Sequence, residues 1–220
     1  MKLITKDNHL AVVDEVLPNE QFMQFWKYFN DVPFAYRSMV GWQKVWRIND
    51  GQILAGPPYY DSQGPFDDPM EWIRLNVRAL ASQYFEDIVG KEGEDWKEIL
   101  FTPYIYPSGT KISWHNDYGY TGACIFYPHI KWNPHWGGEL MIAKTNPEKN
   151  NDTKNEDLMT REFVAPILDE YGMGAYVSPI PNRMAFTSGS VWHSISRVDQ
   201  AAGDNVRCSV VAFFMKDKVE

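Results

Sequence analysis

The feature that most constrains the fold of this chain is a change of sequence pattern near residue 100. From there on, short runs of β-branched and aromatic residues alternate with clusters of Gly, Pro and Asn, at the spacing typical of an all-β barrel or sandwich. The runs are "LFTPYIYP", "ISWHNDYG", "ACIFYPHI", "GELMIA", "RMAFTSGS", "VWHSISRV" and "VRCSVVAFF". The C-terminal part of the chain is therefore predicted to form a compact β-structure.

Two amphipathic helices are predicted before this β-rich part. The first lies in "LPNEQFMQFWKYFND", where Asn19 is the predicted N-cap. Its apolar face comprises Phe22, Phe25, Trp26 and Phe29. The second lies in "DDPMEWIRLNVRALASQYFEDIVG", with Asp68 as cap, Pro69 in the first turn and Gly90 as the stop. Its apolar stripe comprises Ile73, Val77, Leu80, Tyr84 and Ile88. Both helices are expected to lie against a sheet.

Length and composition limit the domain count and the class of partner. A chain of 220 residues suits one domain. Hydrophobic residues make up 44% of the chain, which excludes disorder. The formal net charge of -8 repels polyanions, so a small molecule or a protein is expected as partner, with no nucleic acid and no membrane.

The N-terminus and the cysteines indicate the compartment. The sequence has neither the apolar core of a signal peptide nor a run approaching the roughly 20 apolar residues of a membrane span. A cytoplasmic protein is therefore expected. Cys124 and Cys208 lie in apolar, strand-like runs and are predicted to be buried free thiols.

Three other segments have open interpretations. The polar run over 145–157 is either an inert surface insert or a mobile flap. The segment over 40–68, rich in Trp, Tyr, Gly and Pro, is either a substrate wall or a β-hairpin and loop on the barrel exterior. A third, weaker helix is predicted in "EDLMTREFVAPILDEYG", which Pro166 breaks or kinks unless the helix begins near that residue.

A pair of candidate metal ligands stands in "SWHNDYGY". Residues i and i+2 of a strand point to the same face, so His115 and Asp117 can direct an imidazole nitrogen and a carboxylate oxygen at one ion. An H-x-[DE] tripeptide arises easily by chance, so a second histidine from a distant strand is required. His193 in "GSVWHSISRV" meets this requirement. Two histidines and one carboxylate form the facial triad that leaves open positions on Fe(II).

The remaining histidines and two tryptophans fit a metal site less well. His9 lies outside the β-rich part, and His129 and His135 lie in the Pro-broken segment "YPHIKWNPHWGG". All three histidines are interpreted as surface or hydrogen-bonded core residues. Trp114 and Trp192 immediately precede ligand positions, so they are expected to face the opposite sides of their strands.

An anion anchor is predicted on the last β-rich run. Arg207 and Ser209 stand at i and i+2 in "NVRCSVVAFF", so a guanidinium and a hydroxyl face the same way from an otherwise apolar strand. A buried Arg207 requires an anion, because an unpaired buried charge is very costly. That anion is either a cosubstrate carboxylate or, alternatively, an Asp or Glu side chain in a structural salt bridge.

Taken together, these motifs resemble the prolyl-4-hydroxylase-like branch of the Fe(II)/2-oxoglutarate-dependent dioxygenases. "YPSGTKISWHND" is similar to the family's Tyr, Gly-containing turn and H-x-D strand, and "ACIFYPHIKWNPHWGGELMI" to its aromatic strand followed by G-G-x-L. "PNRMAFTSGSVWHSI" resembles the strand and turn that deliver the distal histidine, and "VRCSVVAFF" the final R-x-S strand. The resemblance runs from about 99 to 216 and implies a single domain with an N-terminal supporting part over 1–98 and a catalytic β-barrel core over 99–216. It implies an α+β fold, a double-stranded β-helix or cupin-like jelly-roll barrel with N-terminal helices packed on one sheet.

The resemblance also implies roles for individual residues. Arg207, assisted by Ser209, would pair with the remote carboxylate of 2-oxoglutarate. Tyr106 and Tyr127 look like the tyrosines that hydrogen-bond this carboxylate in some members, unless they are core residues. The implied iron ligands are His115, Asp117 and His193.

Two details concern the neighbours of these residues. Gly137 and Gly138 are expected to meet the backbone needs of a turn or bulge without touching the chemistry.

The family's basic residue usually stands closer to the distal histidine than the 14 positions (207 - 193) that separate Arg207 from His193. Arg197 is therefore a rival anchor, but Arg207 is favoured because a hairpin tip absorbs an insert without altering its strands.

The implied reaction consumes 2-oxoglutarate and O2, releases succinate and CO2, and hydroxylates an unactivated C–H bond. Asp117 stands where related halogenases have Ala or Gly, so hydroxylation is the expected outcome, with desaturation or cyclisation left open. A small amino-acid-like metabolite is the expected substrate, and the oligomeric state is open. The alternatives are hydroxylation of a peptidyl or protein side chain, a non-catalytic cupin-like ligand-binding barrel, and a Zn(II) hydrolase.

Overall fold

A computed structural model describes residues 1–37, 50–117, 119–144 and 172–216. Its strands, which pair antiparallel, are β1 (Lys2–Lys6), β2 (Leu10–Asp14), β3 (Ala35–Tyr36), β4 (Leu54–Ala55), β5 (Tyr59–Tyr60), β6 (Trp96–Tyr106), β7 (Ile112–His115), β8 (Tyr120–Phe126), β9 (Leu140–Ala143), β10 (Gly174–Val177), β11 (Met184–Ser188), β12 (His193–Ile195) and β13 (Arg207–Lys216). The helices are α1 (Asn19–Asp31), α2 (Met70–Tyr84) and α3 (Glu86–Val89). The weaker predicted helix and the polar run over 145–157 lie outside the described residues.

The strands form two sheets with a shared apolar interior. The larger sheet has the order β1-β2-β11-β8-β13-β6-β4-β3, with β5 also paired to β6, and the smaller has the order β10-β9-β12-β7. Both sheets contribute side chains to one buried cluster, which includes Tyr104, Ile125, Ile142, Ile195 and Val211. The predicted α+β class, an antiparallel β-structure with N-terminal helices, is confirmed, and the described strands form two sheets that do not join into one closed barrel.

Alternation along β13 separates this interior from a second core beneath the helices. The side chains that face the helices are Cys208, Val210, Ala212 and Phe214. Val211 and Phe213 belong to the barrel interior instead. Since successive side chains of a strand point to opposite faces, Arg207 and Ser209 are in step with Val211. The strand pattern therefore turns two polar side chains inward.

The helices cover the outer face of the larger sheet. Their buried residues are Phe22, Phe25 and Phe29 of α1 and Met70, Ile73, Val77, Leu80 and Ala81 of α2. The Phe25 ring meets Phe126 of β8 edge-on, with centroids 5.5 Å apart. Each fully buried aromatic side chain contributes about 1.5–3 kcal/mol through removal of apolar surface from water. Both predicted helices are thus confirmed as amphipathic elements on a sheet.

The helix ends differ in detail from the sequence prediction. Asn19 is the first helical residue and no side chain caps α1, so the predicted Asn19 cap is wrong. Asp68 accepts the Met70 N–H at 2.8 Å, in agreement with its predicted role. Tyr84 is 61% exposed because α2 ends there. Ile88 is buried and belongs to the separate helix α3. Gly90, with a φ of 85°, follows the last residue of α3.

Strands β1 and β2 were not predicted, and they extend the larger sheet through the pairing of β2 with β11. The first four residues of β2, Leu10 to Val13, are buried without alternation, so the strand lacks a period-of-two signal. Within the segment over 40–68, β4 and β5 pair with β6, while residues 38–49 lie outside the described part. Cys124 and Cys208 are buried free thiols, as predicted.

Among the described residues, the search for a helix long and apolar enough to cross a membrane found none.

Candidate active site

The antiparallel register brings the two candidate histidine ligands together. His115 ends β7, His193 begins β12, and the two are cross-strand partners with ring centroids 4.3 Å apart. Directly opposed residues of a strand pair project to the same face. The Asp117 carboxylate lies 4.0 Å from His115 Nε2 and 3.5 Å from His193 Nε2. Three potential ligand groups from separated segments therefore converge.

A turn, not the strand itself, places Asp117. The residue lies beyond the end of β7, and its N–H donates to the carbonyl of Gly189 at 3.0 Å. Its own carbonyl accepts the Tyr120 N–H at 2.8 Å. A Cβ at position 189 would lie 2.2 Å from the Tyr120 carbonyl oxygen, so only glycine fits this approach. The glycine after β11 thus anchors the loop that carries the carboxylate.

Backbone carbonyls fix the tautomers of both histidines. The Nδ1–H of His115 donates to Ser113 O at 2.8 Å, and the Nδ1–H of His193 donates to Val191 O at 3.0 Å. In each ring the unprotonated Nε2 therefore faces Asp117. Burial, followed by the neighbouring His193, lowers the pKa of His115 to about 4. At neutral pH its imidazole is therefore uncharged, which a metal ligand requires.

The donor set fits a divalent transition metal. The ligand atoms of His115, Asp117 and His193 lie within 4.8 Å of one another. Ligands about 2.1 Å from one ion lie roughly 3–4 Å apart, close to the separations found. Two imidazoles and one carboxylate are the donor set of non-heme Fe(II) oxygenases, with positions left open for other ligands.

A buried carboxylate supports the first histidine. Asp50 accepts the Ser113 N–H at 3.1 Å and the Ser113 hydroxyl at 2.8 Å. The Ser113 carbonyl in turn accepts from His115, so Asp50 holds the segment that orients the imidazole. Sequence reasoning missed Asp50, because it is an isolated acid far from the H-x-D segment and matches no motif.

Asp50→Ala is expected to lower metal affinity about tenfold, since partners that orient a metal ligand typically contribute 10- to 100-fold. Asp67→Ala, which removes an exposed carboxylate, is the matched control. Competition with a metal-sensitive chelator measures both affinities. Equal affinities for the two variants would contradict a supporting role for Asp50.

Arg207 is fully buried, and no acidic side chain in the described part of the chain pairs with it. Its Nε–H donates to Gly138 O at 2.7 Å, and its other nitrogens lie 3.4 Å from Ser209 Oγ and 3.5 Å from Tyr127 Oη. The guanidinium also lies over the Tyr106 and Tyr127 rings, 4.7 and 5.1 Å from their centroids. No Asp or Glu of the described residues forms an ion pair with it. The structural salt bridge considered above is therefore absent from the described part.

The tyrosines beside Arg207 are neutral donors. Burial raises the pKa of Tyr106 to about 12, although the nearby Arg207 charge lowers it in part. Burial likewise raises the pKa of Tyr127 against the same opposing charge. Two phenol hydroxyls and a serine hydroxyl accordingly surround a guanidinium that no carboxylate of the described residues neutralises. This arrangement suits a carboxylate, which accepts charge-assisted hydrogen bonds.

Gly138 contacts Arg207 directly, in addition to the backbone role that the sequence predicted for it. Its φ is 75°, and a Cβ there would lie 2.8 Å from Arg207 Cδ. Its carbonyl is also the acceptor that orients Nε. Gly137 meets the predicted backbone need, with a φ of 68°.

His129 is a hydrogen-bonded core histidine that braces the same strand. Its Nε2–H donates to Pro179 O at 2.6 Å, and its Nδ1 accepts the Cys208 N–H at 3.3 Å. Cys208 stands between Arg207 and Ser209, so the imidazole holds the backbone of the anchor. Burial, assisted by the Arg207 charge, lowers the pKa of His129 to about 4.

The buried neutral state of His129 predicts a loss of stability in acid. Its pKa is depressed in the folded protein from about 6.5, so stability falls as pH drops from 6.5 towards 4. His129→Gln removes this titration. Between pH 6.5 and 5, its free energy of unfolding should therefore fall by about 2 kcal/mol less than that of wild type. Urea unfolding at both pH values measures the difference. The exposed His135→Gln is the control and should match wild type.

The structure gives the other residues singled out by sequence different surroundings. His9 and His135 are exposed, as predicted. Arg197, the rival anchor, is exposed and donates to the Gly109 carbonyl. Trp114 and Trp192 pack together against Ala143 in a small separate cluster. Tyr118 lies outside the described residues, and Tyr120 stacks on Phe213 with centroids 4.5 Å apart.

Comparisons with known proteins place this geometry in a known fold. Neither a scan against protein-family models nor a search of curated proteins found a match. A prolyl-4-hydroxylase from Pseudomonas putida matches with a TM-score of 0.59 and 16% identity, covering 94% of this chain and 94% of that chain. A prolyl hydroxylase from Trichoplax adhaerens, solved with a hypoxia inducible factor peptide fragment, has a TM-score of 0.60 and 12% identity, covering 96% and 85%.

A third match extends the range of chemistry found on this fold. The non-heme alpha ketoglutarate dependent epimerase SnoN from nogalamycin biosynthesis has a TM-score of 0.60 and 15% identity, covering 94% of this chain and 78% of that chain. At these identities the likeness concerns the fold. The chain therefore has the double-stranded β-helix of prolyl-4-hydroxylases and related 2-oxoglutarate-Fe(II) oxygenases, as the sequence motifs predicted.

Proposed function

We propose that this protein is an Fe(II)- and 2-oxoglutarate-dependent oxygenase. Its reaction converts substrate R–H, 2-oxoglutarate and O2 into R–OH, succinate and CO2. The observation that carries the proposal is the fully buried Arg207 without an acidic partner in the described part of the chain. It lines the same barrel interior that the His115 and His193 strands face. A cation and a metal triad in one interior suit a ligand that carries a remote carboxylate.

His115, Asp117 and His193 would hold the iron. The backbone carbonyls that accept from each Nδ1–H keep both Nε2 atoms unprotonated and aimed inward. This preorganisation removes the need for tautomer exchange when metal binds. Fe(II), when bound, supplies the activation of O2 that no side chain can provide.

Arg207, Ser209 and Tyr127 would hold the remote carboxylate of 2-oxoglutarate. The Tyr106 ring stacks on the guanidinium and limits its orientation, and Gly138 fixes Nε. An anchor at one end of a five-carbon diacid directs its keto acid end towards the triad. Orientation of this kind lowers the entropic part of the barrier.

The carboxylate of Asp117 favours hydroxylation over halogenation. As an iron ligand, it would occupy the position that related halogenases, with Ala or Gly at this residue, leave open for a halide. One of the similar structures is an epimerase, so the same fold also carries a reaction other than hydroxylation. Substrate placement relative to the metal decides among them.

We propose a small, amino-acid-like metabolite as the substrate. A peptidyl side chain is the second candidate, since one of the similar structures holds a peptide fragment. A non-catalytic binding barrel and a Zn(II) hydrolase are supported less well, because neither accounts for a buried Arg207 without a carboxylate partner among the described residues.

Succinate release from 2-oxoglutarate, with Fe(II) and O2 and a panel of amino acids, amines and peptides, tests the proposal. Turnover is expected for wild type and not for His115→Ala. Mass spectrometry of the products identifies the outcome, because hydroxylation adds one oxygen atom, desaturation removes two hydrogens and halogenation adds a halogen. Turnover no greater than that of His115→Ala across the whole panel would refute the proposal that this protein is an oxygenase.

A further inference from the structure

A cavity of about 260 Å3 opens between the start of β2 and the β9-β10 edge of the smaller sheet. Its lining includes Asp7, His9, Leu10, Ile142, Lys144 and Ala175. Neither the triad nor the Arg207 pocket uses these residues. An apolar cavity of about 150 Å3 accommodates benzene, and drug-sized ligands need roughly 300–1,000 Å3. The volume therefore suits a molecule slightly larger than benzene.

Strand pairing connects one wall of this cavity to the metal ligands. Ala175 is opposite Ile142, Ile142 is opposite His193, and His193 is opposite His115. Directly opposed residues in neighbouring strands share a face. The row thus runs without a break from the cavity wall to the two imidazoles.

Backbone hydrogen bonds connect the other wall to the carboxylate ligand. The His9 carbonyl accepts the Ser188 N–H at 3.1 Å. The next residue, Gly189, accepts the Asp117 N–H at 3.0 Å. Both walls of the cavity are therefore connected to the triad through strand pairing or backbone hydrogen bonds, and the triad residues themselves do not line it.

The cavity combines an apolar floor with two opposite charges. Leu10 and Ile142 are buried in the barrel interior. Lys144 and Asp7 lie on opposite walls, and no ion pair joins them in the part of the chain that the structure describes. The Asp7 Oδ1 accepts the N–H groups of His9 and Leu10, each at 2.8 Å, which fixes the carboxylate. Each charge can therefore pair with a ligand group of opposite sign.

We propose that this cavity is the substrate subsite and that it takes a free α-amino acid. The Lys144 ammonium pairs with the α-carboxylate, the Asp7 carboxylate pairs with the α-ammonium, and an apolar side chain lies on Leu10 and Ile142 towards the metal. The identification of this ligand as the substrate rests on the proposed function. The binding itself follows from the cavity and is measurable without turnover.

Calorimetric titration under nitrogen, with the Fe(II)- and 2-oxoglutarate-loaded protein, tests the assignment. The probes are free L-amino acids with apolar side chains, together with the N-acetyl and amide derivatives of the tightest binder. Each derivative lacks one charge and should bind at least about tenfold more weakly, because charge-assisted hydrogen bonds are the stronger class. Binding by no free amino acid, or equal binding of the derivatives, would overturn the proposal.

Two variants locate the binding. Lys144→Met and Asp7→Asn should each weaken amino-acid binding about tenfold or more and change 2-oxoglutarate affinity less than about twofold. Asn at position 7 retains an oxygen for the His9 and Leu10 N–H groups and loses only the charge. Lys131→Met, an exposed lysine outside the cavity, is the control.

The outcomes separate this proposal from the proposed function. Unchanged amino-acid affinity in both variants would refute the subsite while succinate release upheld the oxygenase. Amino-acid binding that depends on Lys144 and Asp7, in a protein that never releases succinate, would refute the oxygenase and uphold the cavity as a binding site.

Discussion

Replacement of Arg207 by Met is expected to weaken 2-oxoglutarate binding by at least about a hundredfold while leaving the ligand-free protein at least as stable as wild type. Removal of one partner from a buried ion pair costs about 3–5 kcal/mol, and 1.4 kcal/mol is tenfold in affinity. Without ligand, Arg207 has no acidic partner in the described structure, so methionine replaces an uncompensated charge with an apolar side chain of similar length. Calorimetric titration and thermal unfolding with and without 2-oxoglutarate measure the two effects.

Arg197→Met is the matched control for this experiment. Arg197 is the exposed rival anchor, and its replacement should leave 2-oxoglutarate affinity unchanged. A large loss of affinity in Arg197→Met, with normal binding in Arg207→Met, would move the anchor to the hairpin. A Ser209→Ala variant should show a smaller loss of about tenfold or less, because one neutral hydroxyl contributes about 0.5–1.5 kcal/mol.

Replacement of His115 by Ala is the second large effect, and iron affinity should fall by more than about a hundredfold. Groups that merely orient a ligand contribute roughly 10- to 100-fold, so the loss of a ligand has to exceed that range. Succinate release should fall with the iron content. Iron content after desalting and the rate of succinate release at saturating 2-oxoglutarate provide the measurement.

His135→Ala serves as the control for histidine removal, because His135 is exposed and distant in sequence from the triad. It should retain the iron content and rate of wild type. Retention of tightly bound iron by His115→Ala would show that the metal lies elsewhere. If His115→Ala loses iron but still binds 2-oxoglutarate, the result would agree with an anchor at Arg207 that is separate from the metal.

Strand alternation explains why part of the site was predictable. Arg207 and Ser209 occur two residues apart on one continuous strand, so their shared direction follows from sequence spacing. Asp117 is different, because β7 ends before it and the turn held by Gly189 supplies the position. The H-x-D motif identifies Asp117 as a candidate, but only the tertiary contact with Gly189 explains where its carboxylate lies.

Long-range packing explains most of what the sequence could not predict. Strand β2 is buried on both faces and shows no alternation, and its partner β11 lies late in the chain. Asp50 and His129 act through backbone groups of other segments, so neither spacing nor motif reveals them. The cavity joins residues from β9, β10 and the N-terminal part of the chain, a juxtaposition that only the folded sheet creates.

A crystal structure of the protein grown anaerobically with Fe(II) and 2-oxoglutarate tests the central claim most directly. We expect an iron anomalous peak bonded to His115 Nε2, His193 Nε2 and the Asp117 carboxylate, with the remote carboxylate of 2-oxoglutarate on the Arg207 guanidinium. Iron bound at a different group of residues, or a guanidinium of Arg207 paired with a protein carboxylate while 2-oxoglutarate is absent from the barrel, would contradict it.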